Sequence, residues 1–167
     1  MHALLLALGS NLGARRDILG GACAALERCG VTLLRRSHLF ETAPVGGPSG
    51  QPPYLNAALA AETALAPLEM LDTCQHIEAL FGRERRERWG ARTLDIDILA
   101  YDDLQLESSR LILPHPRLHE RAFVLAPLLE VAPDWRHPIL GKTTRQLWEE
   151  LPDRSTPGAW RLLTEEW

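Results

Sequence analysis

Asp95 and Asp97 stand two residues apart in Leu94-Asp95-Ile96-Asp97-Ile98-Leu99, a run that alternates apolar and acidic side chains. A two-residue period is that of a half-buried strand, so both carboxylates leave one face with Cα atoms roughly 6–7 Å apart. Carboxylates that close repel each other unless a cation lies between them or one is protonated. Immediately upstream, residues 83–92 carry five Arg against two Glu, a local charge of +3, and Trp89 sits beside Gly90 between Arg88 and Arg92. Guanidinium groups make bidentate contacts to phosphate, so an acid pair next to arginines has the composition of a site for metal-bound phosphate. Taken alone, Asp-x-Asp also fits a strand with two solvated acids, because such triplets are common by chance.

Other positions carry weaker signals. Tyr54 and Asn56 fall where a loop becomes a strand, an arrangement that can stack on and hydrogen-bond a flat heterocycle but also fits an ordinary strand end. Gln75 and Glu78 are three apart and share a helix face. His115 lies between Pro114 and Pro116, which exclude helix and fix its direction. The turn Gly9-Ser10-Asn11-Leu12-Gly13 lacks both a Walker lysine and the Gly-x-Gly-x-x-Gly spacing. No Ser-His or Cys-His arrangement offers a nucleophile. Cys23, Cys29 and Cys74 are odd in number and without zinc-like spacing, which points to core packing.

These residues need a scaffold, and 167 residues with 46% hydrophobic and 24% charged content suffice for one domain over 1–167. A net charge of −4 argues against non-specific binding to nucleic acid or an anionic membrane. No run reaches the length of a membrane span, and the apolar start lacks a basic lead and a cleavage site, so a cytoplasmic location is expected. Hydrophobic periodicity predicts a strand over 2–8, a helix over 14–28 capped by Ser10 or Asn11, and a strand over 31–41. A Pro- and Gly-rich loop over 42–53 follows, of a length that is usually functional. Next come a strand over 54–62, a helix over 67–81 and the Asp95–Asp97 strand, with 104–106 pairing back as a short strand. Helices over 122–131 and 144–151 precede a tail ending at Trp167. The order implies an α+β ferredoxin-like βαββαβ sandwich with C-terminal helical additions.

Five blocks then point one way. Arg88-x-Gly-Ala-Arg-x-x-Asp95-Ile-Asp97-Ile-Leu resembles the signature of the 6-hydroxymethyl-7,8-dihydropterin pyrophosphokinase family. So do Gly9-Ser-Asn-Leu-Gly, Phe40-Glu-Thr-Ala-Pro-Val-Gly, Pro53-Tyr-Leu-Asn56-Ala and Leu113-Pro-His115-Pro-Arg-x-x-x-Arg121-x-Phe123-Val-Leu, in the family's order and spacing. The resemblance implies transfer of a pyrophosphoryl group from ATP to the pterin hydroxymethyl group, with release of AMP, in folate biosynthesis. It implies two Mg²⁺ ions held by Asp95 and Asp97, and a lid whose Arg83, Arg85, Arg88 and Arg92 reach the triphosphate. ATP would meet Gln75, Glu78, Ile98, Arg110, His115 and Arg121. The pterin would lie between Tyr54 and Phe123, paired by Asn56 and by backbone groups of Thr42 and Val45, with Trp89 closing over it. Positions 116 and 119 are Pro and His, where some members carry an aromatic residue and a lysine. The family suggests a monomer acting on small molecules.

Two other classes fit parts of the pattern. A ferredoxin-like RNA-binding module would show aromatic residues and a basic face on its central strands, whereas this strand carries Asp95 and Asp97. A sugar-nucleotide transferase also uses Asp-x-Asp for its metal, but 167 residues leave little room for both a nucleotide half and an acceptor half.

Overall fold

The computed structural model describes residues 1–11, 13–42, 53–82, 93–152, 160–163 and 166–167. Strand β1 (His2–Ser10) leads through Gly13, at φ +75°, into helix α1 (Arg15–Arg28). The helix therefore begins later than Ser10 or Asn11 could cap it. Ala14 is its N-cap and has no side-chain cap, while Ser10 still belongs to the strand. Two strands follow, β2 (Val31–Arg36) and β3 (Leu39–Thr42), then β4 (Tyr54–Thr63), α2 (Pro67–Leu80) and β5 (Asp95–Tyr101). Proline suits the first turn of α2, where no intrahelical partner for its nitrogen is needed, and Glu69 Oε1 accepts the Ala66 N–H at 2.9 Å.

All strand pairs are antiparallel, and the main sheet runs β5-β1-β4-β3, with β2 also paired to β4. The stretch expected as one strand over 31–41 is thus two, and Ser37 explains the break. Its N–H donates to Ala58 O (3.0 Å) and its hydroxyl accepts the Ala58 N–H (2.9 Å), so a side chain replaces one rung of the ladder.

Alternation divides the sheet into two faces. Leu4, Leu6, Leu8, Leu55, Leu59, Leu94, Ile96 and Ile98 point to one core, completed by Leu19 and Leu26 of α1 and Met70 and Ile77 of α2. Leu5, Ala58, Leu99 and Ala100 point to the other. That second core is closed by α3 (Ala122–Val131) and α4 (Thr144–Glu150) through Leu125, Leu128 and Leu147. A small hairpin of β6 (Leu106–Glu107) and β7 (Ile112–Leu113) replaces the short strand expected over 104–106. The tail adds what no local pattern announced: β8 (Trp160–Leu163) pairs with β3 and extends the sheet. Trp167 then donates its indole N–H to Ser37 O at 2.9 Å. Among the described residues no helix is long and apolar enough to cross a membrane.

Candidate active site

The cavity is assembled on the α3 side of the sheet, at one end of its three longest neighbouring strands. Leu94, just ahead of β5, and Ile96 and Ile98 on it are at most 5% exposed in the core below, which forces Asp95 and Asp97 to the opposite face. Register supplies the rest: Asp95 pairs with Gly9 of β1, and Gly9 pairs with Asn56 of β4. One row further, Asp97 pairs with Ala7 and Ala7 with Ala58. Small residues between the acids and the amide leave the floor open. A Cβ on Gly9 would come within 3.3 Å of Asn56 Oδ1. The Asn56 amide donates from Nδ2 to Thr42 Oγ1 at 2.7 Å, which ties β4 to the end of β3 and orients the side chain.

A turn and the start of a helix build the wall. The His115 N–H donates to Leu99 O at 2.8 Å, anchoring the turn to the strand that carries the acids. Arg117 N–H donates to His115 Nδ1 at 3.2 Å, so the neutral ring carries its proton on Nε2. Burial pushes the His115 pKa down; Asp97 pulls it up, and Arg121 and Arg117 push it down further, leaving it below the ordinary value. The ring is therefore held as a neutral donor at pH 7. Arg121 lies over the Phe123 ring, 5.6 Å from its centroid, a cation–π contact that restrains both. Phe123 and Val124 stand in the first turn of α3, whose positive dipole end favours anions there.

Together these groups line a cavity of about 510 Å³. It gathers Thr42, Tyr54, Asn56, Asp95, Asp97, His115, Arg121 and Phe123 from the residues marked out in the sequence. Others lie elsewhere. Arg110 pairs with Asp72 at 2.6 Å and reaches Gln75 Oε1 at 3.4 Å, forming a separate cluster on α2. Glu78 is 6% exposed, and its Oε2 accepts the Ile96 N–H at 2.9 Å, fastening α2 to β5. The Ile98 side chain faces the core. Val45, Arg83, Arg85, Arg88, Trp89 and Arg92 lie outside the described residues. The cavity also includes Ala7, Leu8, Gly9, Ala57, Arg117 and Val124, which the sequence reading did not single out. Gly9 fell in the turn expected after the first strand, which the structure instead carries on through Ser10; Arg117 was a named position of the block from Leu113 to Leu125 but was given no role there.

Similarity to known proteins agrees with this geometry. Residues 5–133 match the family model described as 7,8-dihydro-6-hydroxymethylpterin-pyrophosphokinase. A Synechocystis protein named 2-amino-4-hydroxy-6-hydroxymethyldihydropteridine pyrophosphokinase is 44% identical over 151 residues, covering 90% of this chain and 76% of its own length. A protein of the same name from Methylorubrum extorquens is 45% identical over 147 residues, covering 87% of this chain and 91% of that one. Among solved structures, the wild-type HPPK-DHPS of Plasmodium falciparum superposes with a TM-score of 0.68 at 17% identity, over 89% of this chain. The match spans 44% of that longer chain, and at this identity it speaks for the fold alone. A sheet that sets two carboxylates beside an aromatic- and amide-lined pocket, and sequence matches over most of its length, place the chain in the 7,8-dihydro-6-hydroxymethylpterin-pyrophosphokinase family.

Proposed function

We propose that the cavity seats the pterin at its Tyr54, Asn56 and Phe123 end and the ATP phosphates at its Asp95, Asp97, His115 and Arg121 end. The activity is that of the family: pyrophosphate passes from ATP to the hydroxymethyl group of 6-hydroxymethyl-7,8-dihydropterin, in folate biosynthesis. ATP is the co-substrate. What carries the residue-level reading is one observation: the acid pair and the groups suited to a flat heterocycle line the same cavity, one strand apart.

Two carboxylates are the donor set, and among the described residues no group of three or more His, Cys, Asp or Glu could hold a metal by itself. That fits Mg²⁺, which takes one or two protein carboxylates and completes its octahedron with phosphate oxygens and water. Asp95 and Asp97 would hold two such ions. Bound there, Mg²⁺ supplies charge stabilisation to the phosphoryl groups.

The remaining chemistry is positioning. Tyr54 and Phe123 offer ring faces to the pterin, while Asn56, oriented by Thr42, meets its polar edge. The hydroxymethyl oxygen attacks the β-phosphorus and gives up its proton to water or a phosphate oxygen, the bond from the β-phosphorus to the bridging oxygen breaks, and AMP leaves with that oxygen and the electron pair. His115 donates Nε2–H, and Arg121 its guanidinium, to phosphate oxygens. Gln75, Glu78, Ile98 and Arg110 belong to the nucleotide side of this reading, Ile98 through its backbone and Arg110 through the cluster on α2. Arg83, Arg85, Arg88, Arg92, Trp89 and the backbone of Val45 complete it as the lid and pocket edge.

The finer fold reading belongs here as well. With β2 and β3 taken as one interrupted strand, the order is that of a ferredoxin-like βαββαβ sandwich with C-terminal helical additions. The chain would act as a cytoplasmic monomer, a single domain over 1–167, on small molecules and without nucleic acid or membrane. The test is AMP release from ATP in the presence of Mg²⁺ and the hydroxymethyl-dihydropterin. RNA binding, or UDP release from a sugar nucleotide, without AMP formation would overturn it.

A further inference from the structure

Arg117 lines the cavity beside Asp95, Asp97, His115 and Arg121, and the reading above gives it no role. Its backbone is held on both sides. The N–H donates to His115 Nδ1 at 3.2 Å, and the carbonyl accepts the Glu120 N–H at 3.1 Å, opening the 3₁₀ turn Leu118–Glu120. The next residue, Leu118, is fully buried and packs into the core beneath α3. An anchored backbone means that only the Arg117 side chain, and not its turn, has to be ordered when it meets a ligand.

Its guanidinium is also uncommitted in the way other arginines are not. Arg15, Arg110, Arg145 and Arg161 each sit within ion-pair distance of a carboxylate. Among the described residues no such pair engages Arg117. Yet its charge is felt in the cavity, since it acts with Arg121 on the His115 ring.

Charge balance says what that cation is for. ATP carries about four negative charges; with two aspartates and two Mg²⁺ ions the assembly keeps a net charge of about minus two. Among the described residues Arg117 and Arg121 are the arginines lining the cavity, so this wall supplies two positive charges towards that remainder. We propose that Arg117 is a phosphate-binding residue, its guanidinium contacting the ATP triphosphate alongside Arg121 from the His115–Arg121 wall. The proposal rests on the reading of this cavity as the ATP site.

The test is equilibrium binding of α,β-methylene ATP with Mg²⁺ to the whole chain. Arg117→Gln should raise the dissociation constant about tenfold, Arg117→Glu more, and Arg117→Lys should recover part of the loss. Thermal midpoints without ligand should agree within about 1 °C, because the side chain is exposed and no described ion pair is broken. A dissociation constant within about twofold of wild type in Arg117→Gln overturns the proposal. So does a loss that Arg117→Lys does not recover and that comes with a lowered midpoint, because that is a folding role. Failure of the wild-type protein to bind the analogue at all overturns the ATP-site reading itself, and with it this one.

Discussion

Asp95 and Asp97 at one end of β5 and Asp102 just past the other are the same side chain in opposite circumstances. Asp102 is fully engaged by its own fold: Oδ1 accepts the Ala3 N–H at 2.7 Å and Oδ2 meets His2 Nδ1 at 2.8 Å. It thereby ties the turn after β5 to the start of β1. Asp95 and Asp97 instead line a cavity with His115, Arg117 and Arg121 on its wall. A carboxylate satisfied by backbone and a neighbouring ring is a fastening. One that lines a cavity can also meet a bound molecule, and on the proposed reading of the site that is what separates stability from activity along this strand.

The largest expected effect breaks the chemical end. Asp97→Ala should lower AMP production about a thousandfold or more, some 4 kcal/mol of transition-state stabilisation, while leaving the fold intact. Turnover within about tenfold of wild type would remove the Asp pair from the mechanism. The neighbouring residue on the other face should behave inversely. Ile96 is 5% exposed in the core, so Ile96→Ala should cost about 3 kcal/mol in urea unfolding. The smallest effect belongs to Asp102→Asn, which keeps a residue tolerant of the positive φ of 49° found there. Its side chain is 40% exposed, so after solvent screening the loss at pH 7 should be only about 1 kcal/mol, with normal turnover.

That last effect carries a pH signature. Burial alone would raise the Asp102 pKa, but the hydrogen bonds from His2 and the Ala3 amide and the charges of His2 and the N-terminus outweigh it and hold it below the ordinary 3.8. A depressed folded pKa contributes stability that is present above the unfolded value and disappears as pH falls through the folded one. Wild type and Asp102→Asn should therefore differ in unfolding free energy at neutral pH and converge as pH drops below 3.8. A constant difference down to acid would mean that the ionised carboxylate is not what matters.

What could be read in advance follows the same division. Asp95, Asp97, Tyr54 and Asn56 sit on strands, and a period of two told which face each takes before any pairing was known. Helices α1, α2 and α3 were likewise visible in their apolar spacing and in Gly30 and Gly82, both at positive φ where a helix stops. Arg117 was named in the block from Leu113 to Leu125, but its place in the cavity was not legible because a turn has no period; its backbone is set by one hydrogen bond to His115 and by the burial of Leu118. The interruption at Ser37 and the pairing of β8 with β3 depend on partners more than twenty and more than a hundred residues away, which no window of local sequence contains. The amide-to-acid register across Gly9 is of the same kind.

That register amounts to a ruler. Asn56, Gly9 and Asp95 occupy one row across β4, β1 and β5, so the amide and the acid are separated by two interstrand spacings, about 9–10 Å. On the reading of the cavity as a two-substrate site, the gap between the docking point of the heterocycle and that of the phosphates is set by backbone hydrogen bonds rather than by flexible side chains. Such a gap cannot drift by fractions of an ångström; it can change only by a whole register step, which would turn Asn56 to the other face and abolish the site.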